Sequence, residues 1–170
     1  MAVRLAALVA AGLAAGAAAA ALPAPVTLDG VGGVTPGMTP RQVSAKWGVP
    51  LSFQGGAGGP GSTCRTARVR VGALRGYALF ESGRFGAVFF DRGARTPSGI
   101  TIGSPERALR RTYGSRLQVR PHEYVRGGHY FFLRRRQRPR WRIRFDTNAA
   151  GRVTQIAFGA RAVAYVEGCA

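Results

Sequence analysis

The feature that most restricts what this chain can fold into is an internal repeat. The segment VTPGMTPRQVSAKWG, Val34 to Gly48, aligns without a gap on ITIGSPERALRRTYG, Ile100 to Gly114, at a constant offset of 66 residues. The pairs Val34/Ile100, Gly37/Gly103, Arg41/Arg107, Val43/Leu109, Trp47/Tyr113 and Gly48/Gly114 recur in order. Each copy reads as a two-turn helix. In the first, Thr39 and Gln42 have capping-box spacing and Pro40 suits the first helical position. In the second, Ser104 is placed to cap, Pro105 takes the first position and Glu106 complements the positive helix end. Val43 and Trp47, like Leu109 and Tyr113, are four apart and share one face. Gly48 and Gly114 supply left-handed stops. Helices this short are unstable alone, so each must lean on a sheet.

The sheet is also legible. YALFESGRFGAVFF, Tyr77 to Phe90, corresponds to RIRFDTNAAGRVTQIAF, Arg142 to Phe158, if the second turn is three residues longer. Both are strand formers around a glycine-containing turn, and both predict β-hairpins. The expected fold class is α+β: two tandem copies of a short helix followed by antiparallel strands, residues 25–95 and 96–170, forming one small domain. Between the first helix and its strands, Gln54 to Ser62 (QGGAGGPGS) lacks the lysine of a phosphate-binding loop and reads as a flexible connector.

Ahead of that domain, residues 1–24 carry Arg4, an apolar run from Leu5 to Leu22 and small residues from Ala19 to Ala24. This is the pattern of a secretory signal peptide. A retained membrane anchor is the alternative, disfavoured by the alanine-rich cleavage zone and the absence of a basic stop. In an exported chain the two cysteines, Cys64 and Cys169, predict one disulfide, the only connectivity available.

At the repeat a family resemblance emerges. Gly37-Met38-Thr39, Gln42-Val43 and Gly48-x-Pro50 resemble the G-M-[ST]-x-x-[QE]-V…G-x-P signature of the SmpA/OmlA (BamE-like) domain. The second copy keeps Gly103 and Gly114 but has Ser104-Pro105 in place of Met38-Thr39. The tandem arrangement is similar to that of secreted β-lactamase inhibitor proteins of the same superfamily, and to small secreted proteins of actinomycete type. The resemblance implies a fold that presents a sheet face to another macromolecule. SmpA/OmlA proteins are lipoproteins of outer-membrane assembly, whereas no cysteine here sits near the cleavage zone, which disfavours a lipid anchor.

Chemistry is thinly represented. His122 and His129 lie seven apart, on opposite faces of an extended chain. Metal-ligand spacings and the G-x-S-x-G elbow are absent from the sequence, and the seven acidic residues are not closely paired. No catalytic residue, metal or cofactor is expected.

Charge points elsewhere. The chain carries 25 basic and 7 acidic residues, net +18, and only Lys46 among the basic ones is lysine. Such a protein adheres to polyanions at low salt. The densest basic stretch is FFLRRRQRPRWRIRF, residues 131–145. In it Trp141, Ile143 and Phe145 alternate with Arg140, Arg142 and Arg144. A three-residue loop of Gln137, Arg138 and Pro139 would set Arg136 opposite Arg140, Arg134 opposite Arg142 and Leu133 opposite Ile143. A two-residue loop would turn Phe131 and Leu133 among the arginines, so the loop should be odd in length. The candidate binding face is therefore Arg134, Arg136, Arg140, Arg142 and Arg144, solvated or met by an anionic partner.

The expected function is a secreted, non-enzymatic binding module for an extracellular or cell-envelope protein, with an inhibitory role implied by the resemblance. The alternative is a polyanion binder for anionic cell-wall polymers. Nucleic acid is not expected as the native partner, and no stable membrane span is expected once the leader is removed.

Overall fold

The computed structural model describes residues 25–54, 62–135 and 138–169, leaving aside the side chains of residues 135, 138 and 139. The leader, most of the glycine-rich connector and the predicted loop residues Arg136 and Gln137 lie outside the described residues. The elements are α1 (Pro40–Trp47), β1 (Ser52–Phe53), β2 (Cys64–Val71), β3 (Leu74–Glu81), β4 (Arg84–Arg92), α2 (Glu106–Tyr113), β5 (Leu117–Pro121), β6 (His129–Arg135), β7 (Arg138–Thr147) and β8 (Val153–Gly159). A 3₁₀ turn, Arg161–Ala164, begins the C-terminal tail.

All eight strands form one antiparallel sheet in the order β1-β2-β3-β4-β8-β7-β6-β5. This corrects the expected architecture of two tandem helix-and-strand copies: the described residues are mostly one continuous sheet carrying only two short helices. The physical reason lies in β4. Phe85 to Phe90 are all buried, so both faces of that strand are covered. The helix layer packs on Val88 and Phe90 and the C-terminal tail on Ala87 and Phe89, while β8 takes the open edge of β4, pairing Phe89 with Ala157 and Phe90 with Ile156.

The principal core lies on the face that carries the helices. Phe80, Val88, Phe90, Phe131, Leu133, Ile143, Phe145, Ile156 and Phe158 pack there against Val43 and Trp47 of α1 and Leu109 and Tyr113 of α2. Each helix also satisfies the polar tip of its aromatic residue. Trp47 Nε1 donates to the carbonyl of Val31 at 2.9 Å, and Tyr113 Oη donates to Thr96 Oγ1 at 2.8 Å.

The repeated glycines have a backbone role. Gly37 and Gly103 have φ of +94° and +87°, a region that excludes most side chains. That conformation lets the Gly37 N–H donate to Phe85 while the Phe85 N–H donates to Met38. In the same way Gly103 donates to Val153, and Val153 to Ser104. The motif fastens each pre-helical loop to the start of a strand.

Helix starts and stops differ between the copies. Thr39 and Gln42 form the full capping box, and Gly48 is left-handed as expected. Ser104 does not cap α2. Its Oγ instead accepts from the Thr101 N–H at 3.0 Å, while the Glu106 N–H donates to the Gly151 carbonyl at 2.9 Å. The turn that precedes β8 has taken over the cap. Gly114, with φ +52° and ψ −132°, is not a left-handed cap and leads into a 3₁₀ turn.

Candidate binding surface

The β6–β7 pair follows the expected register through Leu133/Ile143 and Arg134/Arg142. The ladder then shifts, and Arg135 pairs with Arg138. The predicted loop of Gln137, Arg138 and Pro139 is therefore corrected: Arg138 and Pro139 belong to β7. A bulge rather than an odd loop keeps Phe131 and Leu133 in the core. The predicted contact between Arg136 and Arg140 involves a residue outside the description; Arg140 itself is exposed.

Arg144 requires a second correction, because it is buried and not part of an exposed face. Its Nε and Nη2 donate to the two carboxylate oxygens of Asp146 at 2.7 and 2.8 Å. Its Nη1 donates to the carbonyls of Val163 and Tyr165 at 2.9 and 2.8 Å. The guanidinium also lies 5.0 Å from the ring centres of both Phe89 and Tyr130. The C-terminal tail has folded over it. Burial pushes the Asp146 carboxyl above the usual carboxylate range, and the Arg144 charge opposes that rise.

The tail crosses the sheet face opposite the helices. There Leu79, Ala87, Phe89 and Ala157 meet Ala162, Val163 and Cys169 in a second, smaller core. Cys169 is disulfide-bonded to Cys64 of β2, across a sequence separation of 105. Tyr165 Oη donates to Glu81 at 2.7 Å, and Tyr124 Oη donates to Glu167. Both phenols are raised by the carboxylates they bond, Tyr124 to about 12.

Beyond the tail, toward β5, the remaining arginines meet. Arg134 faces Arg142 across β6 and β7 and donates to Gln118, while Arg120 lies 5.6 Å from the ring centre of Phe132. Arg142 Nε is buried without a hydrogen-bond partner. Burial, Arg134 and Arg120 together hold the Arg142 guanidinium below its usual value. Among the described residues no ion pair joins Arg120, Arg134 or Arg142 to a carboxylate. Guanidinium groups grouped in this way can pair with carboxylate or phosphate oxygens.

A second basic group lies on the other side of the tail. Arg70, Arg75 and Arg92 stand in register across β2, β3 and β4, and with Arg68 they line an open cavity of about 720 Å³ beside Tyr77. The alternation of Arg68 and Arg70 with Val69 and Val71 carries the same period-two signal as RWRIRF. The sequence signal was there, but only the topology brings Arg75 and Arg92 to it.

Both histidines are engaged in hydrogen bonds within the fold. His129 Nδ1 lies 2.8 Å from Glu106 Oε1, and Thr147 Oγ1 donates to that same oxygen at 2.6 Å, tying α2 to the sheet. The hydroxyl bonds the carboxylate and not the imidazole, so this is not a base-activated nucleophile. His122 Nδ1 accepts from the N–H groups of Tyr124 and Val125 at 3.1 and 3.2 Å. Among the described residues no group of three or more His, Cys, Asp or Glu could hold a metal ion. No helix among them is long and apolar enough to cross a membrane.

No family model matches this chain, and no curated protein does. Among solved structures it is similar to an extracellular protein containing an SCP domain from Bacillus anthracis, at 9% identity and a TM-score of 0.46, covering 74% of this chain and 44% of the other. It is also similar to a cysteine-rich secretory protein from Staphylococcus aureus, at 12% identity and a TM-score of 0.45, covering 82% and 49%. The chain thus spans less than half the length of either protein. The expected membership of the SmpA/OmlA or β-lactamase-inhibitor superfamily is corrected: no family model matches the signature, and the described residues form one continuous sheet, not two tandem helix-and-strand copies. The inhibitory role implied by that resemblance loses the support it drew from it.

Proposed function

We propose that this protein is a secreted, non-enzymatic binding module whose Arg120, Arg134 and Arg142 surface contacts an acidic patch on an extracellular or envelope protein. Export is supported by the leader pattern of residues 1–24 and by the Cys64–Cys169 disulfide, a bond at home in oxidising compartments. The observation that carries the binding role is the facing pair Arg134 and Arg142, which among the described residues meets no carboxylate and lies beside a buried, unpartnered Nε. Like charges directly opposite one another destabilise a sheet, and an anionic partner removes that cost.

The test is a pull-down from secreted and envelope fractions with the oxidised protein as bait. A stoichiometric protein retained by the native bait and lost with Arg134→Glu/Arg142→Glu is the expected result; retention indifferent to the double reversal refutes the reading. The net charge of +18 favours a second reading, binding to an anionic cell-wall polymer. Retention of polymer alone, collapsing steeply as salt rises, would select it.

A further inference from the structure

The cavity on the β2 side of the tail has no part in the surface just described. Arg70 pairs directly with Arg75, and Arg75 directly with Arg92, so three arginines stand in a row across adjacent strands and together line the cavity. Arg68 lies opposite Tyr77 and completes the basic lining. Arg75 Nη1 donates to the carbonyls of Gly72 and Leu74, which holds the guanidinium, and among the described residues its other donors form no hydrogen bond. Asp91 and Glu167 also line the cavity, yet among the described residues neither forms an ion pair with the arginines. Four cations against two carboxylates leave the lining net positive.

The wall is also held in place. Residues Val166 to Cys169 close one side, and that stretch is anchored by the bond from Cys169 to Cys64 and by the hydrogen bond from Tyr124 to Glu167. A cavity of about 720 Å³ is within the range that encloses a small molecule. Guanidinium forks match carboxylate and phosphate oxygens in pairs, and a row of them matches more than one such group.

We propose that this cavity binds a compact small molecule bearing two or more carboxylate or phosphate groups, spread across Arg70, Arg75 and Arg92, with the disulfide-anchored tail as one wall. This site is separate from the Arg134 and Arg142 surface, so the two readings stand or fall independently.

Calorimetric titration of the oxidised protein with citrate and with inorganic pyrophosphate, at fixed ionic strength, tests it. Saturable binding is expected, weakened about tenfold or more by Arg70→Ala/Arg92→Ala and unchanged by Arg134→Ala/Arg142→Ala. Whether citrate or pyrophosphate binds more tightly identifies the anionic group. A measurement on the native chain covers the case in which the variant fails to fold. An arginine-selective dicarbonyl reagent, read by peptide mass, should find Arg70, Arg75 and Arg92 protected by the bound probe while Arg134 and Arg142 are not. Absence of saturable binding by both probes, or protection spread equally over the two clusters, overturns the proposal.

Discussion

Replacing Arg144 by methionine should be among the most damaging single substitutions in the protein. The change removes two charge-assisted bonds to Asp146 and two donors to the carbonyls of Val163 and Tyr165, while keeping much of the stem volume. What remains is a buried carboxylate with no cation, beneath a tail whose carbonyls have lost their partner. Removing one member of a buried ion pair costs about 3–5 kcal/mol, and the two orphaned carbonyls put Arg144→Met toward the upper end. At roughly 3 °C per kcal/mol for a domain of this size, the melting temperature should fall by on the order of 10–15 °C.

The same substitution has a signed pH dependence. Burial already raises the folded Asp146 carboxyl above its unfolded value, and loss of Arg144 removes the interaction that opposes the rise. A raised carboxyl binds its proton more tightly in the folded than in the unfolded state. The Asp146 contribution is therefore most favourable below the unfolded value and declines as pH rises through the window between the unfolded and folded values. The penalty of Arg144→Met should accordingly shrink on acidification from neutral pH. Urea unfolding of oxidised wild type and variant at neutral and mildly acidic pH measures this. A penalty below about 1 kcal/mol at neutral pH, or one that grows on acidification, would refute the reasoning. So would failure of Arg144→Met/Asp146→Leu to recover stability, because an apolar pair of similar volume leaves no buried charge.

Further outcomes follow from the same geometry. Arg142→Leu should leave stability unchanged or raise it by up to about 1 kcal/mol, because it removes a like-charge contact and an unsatisfied Nε, while weakening retention of the macromolecular partner. Paired denaturation and pull-down measurements check that opposition. Cys64→Ser/Cys169→Ser should destabilise by about 2–5 kcal/mol, seen as a lowered urea midpoint that reductant no longer affects. Thr39→Ala should cost about 1 kcal/mol through loss of the capping box, whereas Ser104→Ala should cost less, since Ser104 does not cap its helix; thermal melts of the two variants provide the comparison.

What was legible in the sequence is what short-range geometry controls. Thr39, Pro40 and Gln42 specify the start of α1 because capping involves atoms only three residues apart. Leu133 pairs with Ile143 as predicted because a strand alternates sides and the core rejects the other parity. The cysteine pairing followed from there being two. The loop of β6–β7 was misread because a bulge restores parity as well as an odd loop does, and strand alternation does not distinguish the two. The Arg68 and Arg70 alternation was present in the sequence but carried no sign that Arg75 and Arg92 would stand beside it.

The sequence by itself thus determined two helices, several strand pairs, a disulfide and a strongly basic chain. Tertiary structure alone decided that β8 would join β4 in one sheet, with the helix layer packed on Val88 and Phe90 and the C-terminal tail on Ala87 and Phe89. It alone decided the fates of Arg142 and Arg144, neighbours on the same strand face. Arg142 meets no carboxylate among the described residues, while Arg144 is taken into the interior by carbonyls arriving from the C-terminal tail. Alternation assigns a side chain to a face; whether that face meets water or the end of the chain depends on contacts between residues far apart in sequence.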